Sequence, residues 1–127
     1  MAVIDKIETK TVVFFYEEGI LNINFKEDAD VQLENAQENL RIRKEFQQEE
    51  KVKVLSDVSL VWNVSKEARA FFASKQVTDL NIAMAMITNS LTSKILANFF
   101  MKFNKPAAPT KMFNSKEKAI AWLATVD

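Results

Sequence analysis

The stretch "LNIAMAMIT", Leu80 to Thr88, is small or apolar at nearly every position and carries no polar alternation. A strand with one wet face alternates apolar and polar side chains, whereas a run of this kind suits a strand covered on both faces, as in a parallel sheet packed by helices. The run predicts a central strand. It also obliges the rest of the chain to supply neighbouring strands and covering helices.

"TVVFFYEEGILNINFK" supplies a hairpin, because two β-rich runs, Thr11 to Tyr16 and Ile20 to Lys26, flank Gly19, the one glycine of the chain. Glycine gives the positive φ that a tight turn needs. Leu21, Ile23 and Phe25 alternate with Asn22, Asn24 and Lys26, which predicts one buried face, one wet face and a place towards a sheet edge. Helix formers dominate from about Val31 to Gln48, with Leu33, Ala36 and Leu40 on one face; Glu34, Glu38, Arg41, Arg43, Lys44 and Glu45 read as a solvated face. "KVKVLSD" is a short strand, and Ser65 stands as the N-cap of a helix that groups Ala68, Phe71 and Phe72. After the central run come a helix from about Leu91 to Phe103, the loop "NKPAAP", a strand "TKMF" and a closing helix "SKEKAIAWLATV" capped by Asn114 or Ser115. Leu91, Ile95, Phe99 and Phe103 are the expected inward stripe of the first of these helices.

The order ββαβαβαβα predicts an α/β fold on a mixed sheet: an N-terminal antiparallel hairpin, then parallel strands joined by right-handed crossovers, with packed helices. A chain of 127 residues fits a single domain over residues 1–127 and is long enough to bury a core.

Composition removes several classes of function. Lys+Arg and Asp+Glu both number 17, so no net field draws the chain to nucleic acid. There is no Cys and no His, which takes away thiol chemistry, disulfides, the usual neutral-pH acid/base and the usual transition-metal ligand. Carboxylates, lysines and Tyr16 remain, in no recognisable catalytic constellation, so the expectation is no enzyme, no metal and no cofactor. The start "MAVIDKIETK" breaks its apolar residues with charge, and no apolar run approaches the roughly 18 residues of a membrane helix. A cytoplasmic protein with no membrane span is expected.

"AMITNSLTSKILANFFMKFNKPAAPTKMF", Ala85 to Phe113, followed by "EKAIAWL", Glu117 to Leu123, within the order of elements above, resembles the STAS or SpoIIAA-like domains, the group that includes bacterial anti-sigma-factor antagonists. The local sequence is most similar to the uncharacterised branch labelled STAS/SEC14-like. The resemblance implies a SpoIIAA-like fold and a non-enzymatic regulatory or protein-binding role. In signalling members a strand ends in Asp-Ser-Ser-Gly, and the second serine, at a helix start, is the phosphorylated switch. Here "WNVSK" has neither the Asp, nor the paired serines, nor the glycine, and Ser65 alone stands at the switch position.

The working edge expected for such a module lies at the carboxyl ends of the strands, where Ser65 is joined by Thr88, Asn89 and Ser90 of "TNSLTSK". Unpaired N–H groups at a helix start favour an anion there; as plain helix caps the same residues need no ligand. Leu96 and Phe100 widen the apolar arc of the helix from Leu91 beyond the roughly 100° that one stripe requires. The surplus is assigned to packing under the "NKPAAP" loop, to a homodimer contact, or to a pocket shared with Met84 and Met86. In the last case the ligand is a small apolar or lipid-like molecule whose polar end lies near Asn89 and Ser90. Trp62 reads either as a packed shelf or as a contact residue. The protein-binding module, with another protein or a second copy as partner, is the first reading and the carrier is the alternative.

Overall fold

The computed structural model of the chain describes residues 6–48, 50–104 and 108–126, and no side chain at positions 92, 96, 99–101, 103 and 104. The middle of the "NKPAAP" loop and the side chains of Leu96, Phe99, Phe100 and Phe103 therefore lie outside the described residues.

The elements are β1 (Lys6–Glu8), β2 (Val12–Glu17), β3 (Ile20–Phe25), β4 (Asp30–Val31), α1 (Leu33–Gln47), β5 (Val52–Asp57), β6 (Asn63–Val64), α2 (Lys66–Phe72), α3 (Lys75–Thr78), β7 (Asn81–Ile87), α4 (Leu91–Asn104), β8 (Thr110–Phe113) and α5 (Lys116–Leu123). Six strands form one mixed sheet in the order β1-β2-β3-β5-β7-β8. The first three are antiparallel and the rest parallel. The apolar run at β7 is interior, between β5 and β8, as its composition requires.

Along β7 the pleat divides the side chains cleanly. Met84 and Met86 face α1, α2 and α4, while Ala83, Ala85 and Ile87 face Ala119 and Leu123 of α5. From β3 to β8 the sheet grows in one direction, and right-handed crossovers in one direction put every connecting helix on the same face. Only α5, which follows the last strand, is free to cover the other side.

The structure departs from the sequence reading in four places. β3 is not near an edge, because the short β1 pairs with β2 and β5 flanks β3 itself; Asn22, expected on a wet face, is buried. The three-residue β1, with exposed Lys6 and Glu8, has too little apolar pattern to announce a strand, and the charges suit an exposed edge. The two-residue ladder β4-β6 and the four-residue helix α3 are likewise below the length that periodicity resolves. Among the described side chains of α4, Ser93 and Ala97 are fully buried, whereas Leu91 and Ile95 point outward at 76% and 58% exposure. Ala97 packs in the cluster with Ala68 of α2 and Met86 of β7, where a small side chain suits a helix lying against both.

Candidate functional site

Ser65 and Ser90 both cap helices at the carboxyl edge of the sheet. The Ser65 hydroxyl accepts from the Ala68 amide at 3.1 Å, and the Ser65 amide donates to the Val31 carbonyl at 2.9 Å. Ser90 and Ser93 cap reciprocally: the Ser93 amide donates to Ser90 Oγ at 3.1 Å and the Ser90 amide donates to Ser93 Oγ at 3.1 Å. This is a capping box with serine in place of the usual Glu or Gln at the third helical position. Asn89 is exposed beside it, and Thr88 is buried with its amide bonded to the Phe113 carbonyl at 2.9 Å.

The two caps belong to neighbouring connections, because β5 and β7 are adjacent and the Val58 amide donates to the Ile87 carbonyl at 3.1 Å. Between β5 and Ser65 the chain presents Leu60 and Trp62, 55% and 63% exposed. Their backbone is pinned: the Asp28 amide donates to the Leu60 carbonyl at 3.0 Å and the Trp62 amide to the Ala29 carbonyl at 2.9 Å. An indole on a fixed backbone, left in water, is a costly arrangement for a surface with no contact to make.

A second feature lies inside the molecule. Between the sheet and α1 and α2 is a cavity of about 90 Å³ with a mainly apolar lining that includes Phe14, Ile23, Phe72, Met84 and Met86, and with Asn39, Arg43, Ser56, Arg69 and Asn81 among its residues.

Arg43 sets the electrostatics of the cavity. Asn39, Leu40, Arg43 and Gln47 recur at helical spacing with Ala36, so the stripe that begins apolar ends in polar groups turned towards the sheet. Arg43 Nε donates to Gln47 Oε1 at 2.8 Å and Nη2 donates to Asn81 Oδ1. Gln47 is fixed in turn by donating to the carbonyls of Glu50 and Leu80 at 2.8 and 2.9 Å. Burial pushes the guanidinium down to about 10, so it remains charged at neutral pH, and among the described residues no carboxylate forms a salt bridge with it. Tyr16, stacked on Phe46 at 5.3 Å between ring centres, is raised by burial and partly offset by the charge of Arg43. Arg69 of α2 donates from Nη1 to the Val64 carbonyl at 3.0 Å.

Of the residues singled out in the sequence, Ser65 and Ser90 stand at one edge with Asn89, Thr88 is internal, and Met84 and Met86 line the cavity. Leu96 and Phe100 lie on α4, their side chains outside the described residues. Arg43 corrects the reading of a solvated face: it is 4% exposed. The signal was present, since Ala36, Leu40, Arg43 and Gln47 follow the i, i+4, i+7, i+11 spacing of an inward stripe. Charge alone argued against it.

The fold is SpoIIAA-like, as the sequence resemblance implied. Over 95% of this chain and 92% of the other, at 12% identity and a TM-score of 0.58, the structure is similar to that of an uncharacterized DUF3478-family protein with a SpoIIAA-like fold from Shewanella loihica PV-4. A protein of unknown function from Arthrobacter sp. FB24 is 28% identical, with 85% of this chain and 94% of that one covered and a TM-score of 0.32. No curated protein matches the chain. No helix among the described residues is long and apolar enough to cross a membrane. Residues 14–127 match the family described as a domain of unknown function, DUF7793, and the chain belongs to that family.

Proposed function

We propose that the protein is a non-enzymatic binding module that engages another protein through the carboxyl edge of its parallel strands. The observation that carries this reading is the exposure of Trp62, with Leu60 beside it, on a backbone held by hydrogen bonds to residues 28 and 29. Tryptophan on a pre-ordered loop buries a large area at little entropic cost, which is why it recurs among the residues that dominate protein interfaces. Leu91 and Ile95, on the helix that leaves the adjacent strand, add apolar surface for the same partner. A chain without Cys or His supports a non-enzymatic role.

The test is in-cell crosslinking followed by mass spectrometry, with Trp62→Ala as the paired sample and urea unfolding to check that the variant is folded. Crosslinked partners that are recovered with the wild type and lost with Trp62→Ala support the edge. Recovery of the same partners at the same yield overturns it.

A second reading, carriage of a small apolar ligand, is supported by the cavity that Met84 and Met86 line. Its polar end is then at Arg43 and Asn81, the first residue of β7, and not near Asn89 and Ser90 at the other end of the strands.

A further inference from the structure

The cavity beneath α1 and α2 has a division of chemistry that a plain packing void lacks. Its wall is largely aromatic and aliphatic, yet Arg43, a cation at neutral pH, is among the residues that line it. The hydrogen-bond partners of that cation, Gln47 and Asn81, are neutral amides. They hold the guanidinium plane in place without cancelling its charge, so a field persists in a low-dielectric space and favours any anion that enters. A guanidinium fixed in advance also loses little entropy when it takes up a planar carboxylate.

Size narrows the occupant further. A cavity of about 90 Å³ is smaller than the ~150 Å³ cavity that accepts benzene, so the part of a ligand it surrounds is a body of roughly three to five carbons. Phe25 and Phe72, partly buried and edge to face at 6.0 Å between ring centres, are among the wall residues that reach solvent.

We propose that this cavity binds a small carboxylate with a compact, branched apolar body, its carboxylate on the Arg43 guanidinium and its carbons against Phe14, Met84 and Met86. The proposal rests on the carrier reading and adds to it the charge and size of the cargo.

The probe is isobutyrate, with isobutyramide as its neutral isostere, at ionic strength matched by chloride. Binding is read from the methionine methyl resonances of the full chain, and affinity from their titration. Isobutyrate is expected to shift the Met84 and Met86 methyls saturably, and isobutyramide to bind roughly tenfold or more weakly, since it lacks the charge that strengthens the bond to arginine. Arg43→Met, if folded, is expected to lose isobutyrate affinity by a similar factor. Equal affinity for acid and amide, or undiminished isobutyrate binding in a folded Arg43→Met, overturns the carboxylate proposal while leaving the carrier reading intact. If neither probe moves the methyls of the wild-type protein, both fail.

Discussion

Arg43, on the third turn of α1, donates from its guanidinium to the side-chain carbonyl of Asn81, the first residue of β7, 38 positions later in the chain. The bond ties the crossover helix to the central strand at the end opposite the two serine caps. It also satisfies a charge that the core holds without a carboxylate among the described residues.

Removing the amide and removing the cation therefore have different consequences. Asn81→Ala strands a buried guanidinium and is expected to cost about 1.5–3 kcal/mol, the range for a hydrogen bond to a charged group. Arg43→Met removes the buried charge and leaves only the neutral side-chain carbonyls of Gln47 and Asn81 without a donor, a smaller penalty than a stranded cation. Urea unfolding of both variants gives the comparison. A smaller loss in Asn81→Ala than in Arg43→Met would mean that the guanidinium is well solvated and the bond incidental.

Tyr16 offers a direct reading of the same charge, because it is the chain's one tyrosine and its phenolate absorbance reports a single group. Burial raises it above the ordinary value of 10.0, and Arg43 lowers it in part. The native state holds this proton more tightly than the unfolded chain does, so the stability it contributes is present below pH ~10 and is lost as pH rises through the folded value. Alkaline titration of the native protein is expected to show a midpoint above that of the urea-unfolded chain. In Arg43→Met the midpoint should move higher still, since only the raising influence remains. A downward move would show that Arg43 does not act on Tyr16.

The hairpin turn gives a local test. Glu18 and Gly19 have φ of 52° and 79°, and Glu17 pairs with Ile20, so the loop is a two-residue turn with both central residues left-handed. A β-carbon built at Gly19 meets nothing within 4 Å, which leaves backbone strain as the only penalty. Gly19→Ala is expected to cost about 1 kcal/mol and Gly19→Asn less, because asparagine tolerates the left-handed region. Equal losses by thermal denaturation would point to a penalty that is not conformational.

Legibility in the sequence followed length and pattern. The hairpin around Gly19, the interior strand at β7 and the cap Ser65 were visible because each has a local chemical reason that no distant residue alters, while of Asn114 and Ser115 it is Ser115 that caps the closing helix. The face of α4 was not visible, since apolar periodicity points Leu91 and Ile95 inward, whereas among the described side chains of that helix Ser93 and Ala97 are the buried ones. Arg43 was hidden for the opposite reason. Its spacing is that of a core residue, but a charge is read as solvated unless its partners are known, and Asn81 lies too far along the chain to be recognised as one. Met84 and Met86 hinted at a pocket, but its position beneath α1 and α2 depends on three-dimensional packing that the chain does not spell out.

The knot "TNSLTSK" divides into a structural part and an accessible part, and substitution separates them. Ser90 closes the box with Ser93, whose hydroxyl also donates back to the Ser90 carbonyl at 3.1 Å inside the core. Ser90→Ala is expected to cost about 0.5–2 kcal/mol through the lost cap, and Ser90→Gly only a few tenths, since glycine leaves the N-terminal amides open to water. Asn89 is exposed, so Asn89→Ala should change stability by no more than about 0.5 kcal/mol. The same variants carried through the crosslinking comparison then distinguish cap from contact. If the carboxyl edge is the binding surface, Asn89→Ala weakens partner recovery without weakening the fold, whereas Ser90→Gly, stable in urea, isolates the contribution of the hydroxyl. Unchanged recovery in both would confine this segment to capping and leave Trp62 and Leu60 as the contact.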